Sequence, residues 1–388
     1  MNVPISRTCL NEAEMESVLE TLRSGWLVQG PKVEEFEQKW SAFTGAAHSI
    51  AVTSATSALH LSLAALGVGP NDEVIVPAFT WVATANIVEN LGAKVVFCDI
   101  DLTSFNLDVD QLEDKITSHT RGIIPVHLFG LGAEIDAVMQ VAAKNNLWVV
   151  EDAACGFGTK INGQHVGTFG HTGCFSFHPR KSITTGEGGM ITTEDPALAA
   201  KLRSLRNHGA AMSQQQHKLS PRPYLLADHP LAGYNQRMTD IQGALGSTQM
   251  DRAAEIITER QRLARIYDKA FEKLSWLDTP LQIPNYEHAY QSYACLYQSE
   301  PITSDSIESI NKTRNAWMDQ LQNVGISTRP ATHAVHMLSF YSKKYAVTPE
   351  DFPNAYAANE CSISLPLFHG ITEAEQSYVI EFVLRSKI

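Results

Sequence analysis

Gly173-Cys-Phe-Ser-Phe-His-Pro-Arg-Lys-Ser-Ile-Thr-Thr-Gly-Glu-Gly-Gly189 is the stretch on which the reading of this chain turns. An apolar strand over 174–177 runs into a turn that carries one lysine, Lys181. A glycine-rich turn follows, and then a second apolar run over 190–193. A lysine held between two buried strands loses hydration, which lowers its pKa and frees its amine as a nucleophile. Schiff-base chemistry with an aldehyde cofactor needs such an amine. The plainer reading is a surface lysine in a hairpin. A nucleotide-binding loop does not fit, because the stretch lacks a Gly-x-x-x-x-Gly-Lys pattern. Upstream, Leu147-Trp-Val-Val-Glu-Asp-Ala-Ala154 reads as a buried strand ending in an acid, Asp152. By position alone Asp152 serves equally as a helix cap at a strand-to-helix turn. Enzymes that use pyridoxal phosphate (PLP) pair a lysine Schiff base with an acidic partner for the pyridine nitrogen. Both residue types stand here in adjacent strand–helix units.

The surrounding sequence has room for such a site. Its 388 residues suffice for two domains, or for one large α/β domain with an appendage. The net charge of −12, with no run of Lys or Arg to offset it, argues against nucleic acid as a partner. An anionic small molecule stays open, because a local site can be positive on an acidic protein. The six cysteines, Cys9, Cys98, Cys155, Cys174, Cys295 and Cys361, form no Cys-x-x-Cys pair, so neither zinc nor a disulfide framework is indicated. Met1-Asn-Val-Pro-Ile-Ser6 has no charged segment and no apolar core, so a signal peptide is not expected. No apolar run has the length of a membrane span. The expected location is cytoplasmic, with no membrane partner.

Strands and helices alternate through the first two thirds. Helices are expected at 12–24, 33–44, 57–66, 79–91, 108–116 and 135–145, and strands at 50–53, 73–76, 94–97, 122–128 and 147–150. Short strands spaced by helices predict a mainly parallel sheet covered on both faces. A helix rich in Lys and Arg is expected at 198–208, and one or two long helices over 239–274. Between them, 209–233 is irregular, with three Gln at 214–216 and Pro221, Pro223 and Pro230. A long loop in a compact domain reads as a functional flap. The expected division is a large α/β domain over 1–250 and a smaller α+β domain over 251–388, with helices near 311–324 and 373–385.

With Lys181, Asp152 and the Thr53-Ser-Ala-Thr-Ser-Ala58 turn in view, the chain resembles the DegT/DnrJ/EryC1/StrS family. These are PLP-dependent sugar aminotransferases of fold type I. The resemblance runs from end to end. Gly25-Trp-Leu-Val-Gln-Gly-Pro31, Pro77-Ala-Phe-Thr-Trp-Val-Ala-Thr84, Glu151-Asp-Ala-Ala154, Ser176-Phe-His-Pro-Arg-Lys181, Gly186-Glu-Gly-Gly189 and Gly233-Tyr-Asn-Gln-Arg-Met238 follow in the family's order. Each is weak alone; together, in order, they are specific.

The resemblance implies a role for each matching residue. Lys181 matches the Schiff-base lysine, and Asp152 matches the partner of the pyridine nitrogen. The backbone of Ser54-Ala55-Thr56, the Thr56 hydroxyl and Ser176 match the phosphate ligands, and a helix N-terminus suits that anion. Ala55 stands where many relatives carry glycine. Trp81 matches the aromatic residue that stacks on the PLP ring, although a core tryptophan is the plainer reading. Cys155 stands where many relatives carry Gln or His near the cofactor. Asn235 and Arg237 match a loop that reaches into the neighbouring subunit's site, which implies a working homodimer. Arg329-Pro-Ala-Thr-His-Ala-Val-His336 resembles the stretch that lines the sugar site, with His333 and His336 as candidate contacts. No carboxylate motif accompanies that His-x-x-His pair, so no metal is expected. His178 is either a substrate contact or a packed loop residue.

The implied reaction moves an amino group from L-glutamate to a nucleotide-linked keto sugar, with Lys181 as proton shuttle and ping-pong kinetics. The wording of the lysine stretch looks most like relatives that aminate the C4 ketone of 6-deoxy sugars for surface polysaccharides such as lipopolysaccharide. The alternatives are a 3-keto sugar or cyclitol acceptor, or a sugar dehydratase. Dehydratase relatives carry histidine in place of the lysine. A PLP-fold scaffold without catalysis is disfavoured by the intact Lys181 and Asp152.

Overall fold

The computed structural model describes residues 1–211, 224 and 226–386. Most of the flap expected at 209–233 therefore lies outside the described residues, including Lys218 and Arg222. The chain opens with helices α1 (Glu12–Ser24) and α2 (Pro31–Thr44), and then alternates. Strand β1 (His48–Val52) leads to α3 (Ala55–Leu66), and β2 (Glu73–Pro77) and the short β3 (Phe79–Thr80) lead to α4 (Ala83–Asn90). Strands β4 (Lys94–Cys98) and β5 (Thr120–Ile123) precede α5 (Ile135–Lys144) and β6 (Trp148–Asp152). A small hairpin, β7 (Lys160–Ile161) and β8 (Gln164–His165), comes before β9 (Thr172–Ser176), β10 (Gly189–Thr193) and α6 (Pro196–Arg206).

Seven of these strands form one sheet, in the order β1-β10-β9-β6-β5-β2-β4. The four pairings from β9 to β4 are parallel, and β10 is antiparallel to both its neighbours. The parallel strands read as continuous apolar runs because both faces are covered; β2 is buried along its whole length. α3 packs between sheet and solvent layer with Leu59, Leu61, Leu63 and Ala65 buried, and Gly67, at φ 82°, ends it. On the other face Trp40 of α2 meets Phe157, Phe175 and Phe177, with ring centroids 4.9–5.3 Å apart.

This topology decides where a site can form. The carboxyl ends of β1, β2, β6 and β9 point to one edge of the sheet, and that edge of an open α/β sheet is where ligands bind. Beyond it, the helices Asp240–Met250 and Ala253–Phe271 lead to a second, three-stranded antiparallel sheet of Leu277–Asp278, Tyr293–Tyr297 and Ser362–Leu365.

Three expectations need correction. The segment 79–91 is not one helix: Phe79–Thr80 pairs as a strand with His333–Ala334, and the helix begins at Ala83. That strand partner comes from the far end of the chain and leaves no local signal. The segment 108–116 forms two short 3-10 turns, Val109–Gln111 and Glu113–Lys115, because Asp108 caps Asp110 locally and only Leu112 anchors the stretch in the core. The strand expected over 122–128 ends at Ile123, just before Pro125, which cannot donate to a ladder.

Candidate active site

At the carboxyl edge of the sheet lies a cavity of about 550 Å³, within the usual range for a small-molecule site. Ser54, Ala55, Thr56, Trp81, Asp152, Cys155, Ser176, His178 and Lys181 all line it. The sequence places these residues far apart; the strand order gathers them.

Lys181 sits in the loop between β9 and β10. Its backbone N–H donates to the His178 carbonyl at 2.8 Å. The loop is tied to the helix Asp240–Met250, whose Gln249 accepts from the Thr184 N–H at 3.0 Å. Lys181 is half-buried, and its Nζ donates to Cys155 Sγ at 3.0 Å. So Cys155 is the immediate neighbour of the amine. Burial holds the His178 imidazole below its ordinary pKa; Glu187 pulls it up, and Lys181 and Arg180 push it down.

Asp152 ends β6. Its own N–H donates to the Pro125 carbonyl at 2.9 Å, which fixes the backbone. Its buried carboxylate accepts from Thr84 Oγ1 at 2.7 Å and from the Ala154 N–H at 3.1 Å. Sequence reasoning missed Thr84, which sits in the first turn of α4; it became visible only once that helix was found to start at Ala83. Two bonds to one carboxylate aim it into the cavity and leave it as an acceptor for a further N–H donor.

Ser54 caps α3: its side chain accepts from the Ser57 N–H at 3.0 Å. Ser54, Ala55 and Thr56 at this helix N-terminus line the cavity, with the positive end of the helix dipole behind them. Gly189 makes this possible. A Cβ there would stand 2.4 Å from the Ser54 carbonyl carbon and 2.7 Å from the Ala55 nitrogen, so the turn can lie flat on β10. Trp81 is 56% exposed, unusual for so large an apolar ring, and it forms part of the cavity wall. An open indole face, a free amine, an oriented carboxylate and a helix N-terminus are the four features a phosphorylated aromatic aldehyde requires. The residues present therefore fit PLP.

Four expected site residues lie outside this cavity. Asn235 is exposed and pairs as an isolated bridge with Asn207, and Arg237 bridges Val52 and donates to Asn207 Oδ1 at 2.6 Å. Neither lines the cavity. His333 is exposed, its ring 5.7 Å from that of Trp81, so it stands at the rim. His336 needs correction as a substrate contact. It is fully buried between Phe97 and Phe352, and neither ring nitrogen has a hydrogen-bond partner. The two histidines diverge because the chain tightens into a 3-10 turn at Val335–Met337. The sequence also gave no sign that Ile5 and Ser6, at the start of the chain, would line the cavity.

Burial drives His336 to a pKa of about 4, His165 to about 4 and His288 to about 3. His165 is locked neutral by geometry: its Nε2 accepts from the Gly158 N–H at 2.9 Å. These folded-state values lie below the unfolded value of about 6.5, so the unfolded chain binds protons that the folded chain refuses. The stability they hold is complete above about pH 6.5 and is lost as pH falls toward 4. The melting temperature is therefore expected to be flat near neutrality and to drop between about pH 6 and 4.5. His336→Leu, which removes two unpaired buried nitrogens, should reduce that slope; calorimetry across the pH series reads it.

The fold and this constellation define a PLP-dependent aminotransferase of fold type I. The comparisons with known proteins agree. The model of the DegT/DnrJ/EryC1/StrS aminotransferase family matches residues 8–384. The spore coat polysaccharide biosynthesis protein SpsC of Bacillus subtilis is 36% identical over 382 residues, which is 98% of this chain and 96% of SpsC. Spr1654 of Streptococcus pneumoniae, provisionally assigned as a sugar aminotransferase and solved in its pyridoxamine phosphate (PMP) form, superposes with a TM-score of 0.91 at 31% identity over 98% of both chains. PseC of Helicobacter pylori, an aminotransferase involved in the biosynthesis of pseudoaminic acid, gives 0.90 at 26% identity over 99% of both chains. The protein belongs to the DegT/DnrJ/EryC1/StrS aminotransferase family.

Proposed function

We propose that this enzyme transfers the amino group of L-glutamate to the ketone of a nucleotide-linked sugar, with a 4-keto-6-deoxy sugar as acceptor, in the assembly of a surface polysaccharide. The observation that carries the reading is a free lysine amine and an oriented aspartate in one cavity beside an open indole face. The presence of Lys181 favours aminotransfer over sugar dehydration. The polysaccharide setting is supported by SpsC, a spore coat polysaccharide biosynthesis protein.

PLP, when bound, supplies an electron sink for the carbon that loses its proton. The chain's own residues do the rest. Asp152, oriented by Thr84 and the Ala154 N–H, would accept the hydrogen bond of the ring nitrogen. The N-terminus of α3, with Thr56 and Ser176, would hold the phosphate. Trp81 would lie against the ring. The amine of Lys181 would carry the proton that leaves the donor carbon. Cys155 receives a hydrogen bond from that amine and sets where it rests. Holding both partners in one small cavity replaces two encounters by one geometry.

We also read the active unit as a homodimer and the chain as a large domain over 1–250 with a smaller one over 251–388. Asn235 and Arg237 do not line their own chain's cavity, which supports a role at a second copy's. An apolar face supports the pairing: Met15, Leu19 and Leu22 of α1 and Trp26, Leu27 and Val28 beyond it are all exposed.

A single-turnover assay tests the function. Enzyme carrying pyridoxamine phosphate is offered dTDP-, UDP- and GDP-linked 4-keto-6-deoxy sugars while the cofactor spectrum is followed. Return of the PLP band with one sugar names the acceptor. Conversion by glutamate without return on any 4-keto sugar moves the acceptor to 3-keto sugars or cyclitol ketones. No response to glutamate sinks the reading.

A further inference from the structure

A second, much smaller cavity shares Lys181 with the first. It holds about 20 Å³, which admits one water or one single-atom ion and is too small for a carboxylate or a phosphate. Three parts of the chain build it. Ser182 and Thr184 belong to the loop that carries Lys181, Ile256 and Arg260 stand about one turn apart on the helix Ala253–Phe271, and Arg7 and His369 complete the wall. Among the described residues no Asp or Glu lines it, although the chain as a whole carries a net charge of −12.

Arg260 is the unusual member. It shares the inner face of its helix with Ile256, Leu263, Tyr267 and Phe271, and it is only 3% exposed. Its Nε donates to the Tyr290 carbonyl at 3.0 Å, and its Nη2 donates to the carbonyls of Gln291 at 2.6 Å and Leu367 at 3.2 Å. Among the described residues its Nη1 has no hydrogen-bond partner, and no carboxylate forms an ion pair with this guanidinium. Carbonyl dipoles satisfy N–H groups but leave the charge uncancelled, and a buried charge without a counter-charge is costly. Arg206, as deeply buried, is paired with Glu37 at 2.6 Å. The acids that could serve Arg260 are engaged with the outer groups of the wall: Glu375 meets Arg7 at 2.8 Å, and Glu255 meets His369 at 3.3 Å. Burial holds the pKa of Arg260 down at about 10, so the group stays charged at neutral pH.

A second observation concerns the same space. Ser182 Oγ is fully enclosed and has no hydrogen-bond partner. The wall therefore carries an unpaired hydroxyl and a guanidinium with a free N–H, and it offers little to a donor. Gln249 Oε1 already accepts from the Thr184 N–H at 3.0 Å, and Thr184 Oγ1 donates to the Phe177 carbonyl at 2.8 Å. A water must donate as well as accept, whereas an anion only accepts.

We propose that this small cavity binds a single halide-sized anion, chloride, which neutralises Arg260, accepts from the Ser182 hydroxyl and ties the lysine loop to the helix Ala253–Phe271. The ion takes no part in the proton transfers and does not depend on which sugar is aminated. Its size sets it apart from the carboxylates and phosphates that the large cavity is built to hold.

Two measurements test it. Crystals of PLP-loaded enzyme are soaked in sodium bromide, and anomalous scattering is recorded at the bromine edge. A bromide peak is expected between Arg260 and Ser182. In solution, sodium gluconate is exchanged for sodium chloride at constant ionic strength, gluconate being too large for the cavity. About 100 mM chloride is expected to raise the melting temperature by about 1–2 °C, the shift for a site filled to roughly ten times its dissociation constant. Ser182→Ala should lose about half of that rise and Arg260→Gln all of it; comparison with the unaltered enzyme removes the general effect of salt. Where Arg260→Gln does not fold, Ser182→Ala and the bromide map carry the test. No bromide peak in this cavity, a melting temperature indifferent to chloride, or the same chloride response in Ser182→Ala as in the unaltered enzyme would each overturn the proposal and leave the cavity to a water.

Discussion

Lys181→Ala should remove aminotransfer by on the order of 10⁴-fold or more while leaving the fold intact. The amine is asked to serve as tether and as proton carrier, and no neighbour can substitute. Among the described residues its hydrogen-bond partner is Cys155 Sγ, and His178, whose pKa burial lowers, belongs to the same loop. The structural cost of the change is small. The side chain is half-buried, its removal strands no buried carboxylate, and the loop is held by backbone and Gln249 contacts that do not involve the amine. Borohydride reduction of PLP-loaded enzyme, followed by peptide mass spectrometry, reads the tether directly. The unaltered protein should carry the reduced cofactor on the peptide containing Lys181, and the variant should carry none. A variant that keeps its turnover, or traps cofactor on another lysine with activity retained, would move the catalytic role elsewhere. Lys181→Arg is expected to be equally inactive, since a guanidinium keeps its proton at any accessible pH.

How much of this was legible beforehand follows from the range of each interaction. Strands buried on both faces announce themselves in continuous apolar runs, so β2, β6 and β10 were found nearly to the residue. The lysine loop and the strand-end aspartate could be read because each sits directly after such a run. Cavity residues contributed by one strand end each, such as Ser54, Trp81 and Ser176, became readable through the order of motifs. What failed were features whose cause lies far away in the chain. Phe79–Thr80 is a strand only because His333–Ala334 pairs with it, and that pairing also shifts the start of α4 and brings Thr84 onto Asp152. His336 became a candidate through the family resemblance of the stretch 329–336; a 3-10 turn sends it into the core between two phenylalanines.

The second large effect concerns stability, at the residue that precedes Asp152. Glu151 is fully buried and its carboxylate is surrounded by donors. Oε2 accepts from the Gly167 N–H at 2.6 Å and meets His127 Nε2 at 2.9 Å, while Oε1 accepts from the N–H groups of Phe169 at 2.8 Å and Gly170 at 2.7 Å. The tautomer of His127 follows, since its Nδ1 accepts from the Ala133 N–H at 3.0 Å and the proton must therefore sit on Nε2. One carboxylate thus closes the turn 167–170 beneath β6 and anchors His127, whose backbone N–H donates to the Asp152 carbonyl at 3.0 Å. Glu151→Ala leaves three backbone donors and an imidazole N–H unpaired in a dry interior, at a cost of about 3–5 kcal/mol. The melting temperature should fall by roughly 4–6 °C. Glu151→Gln keeps the shape but turns an amide N–H toward backbone N–H groups, so it should lose a comparable part. PLP retention should weaken in both variants, because the β6 end that aims Asp152 is no longer fixed from below. A melting temperature within about 2 °C of the unaltered protein would show that water reaches these donors and that the carboxylate is not their sole support.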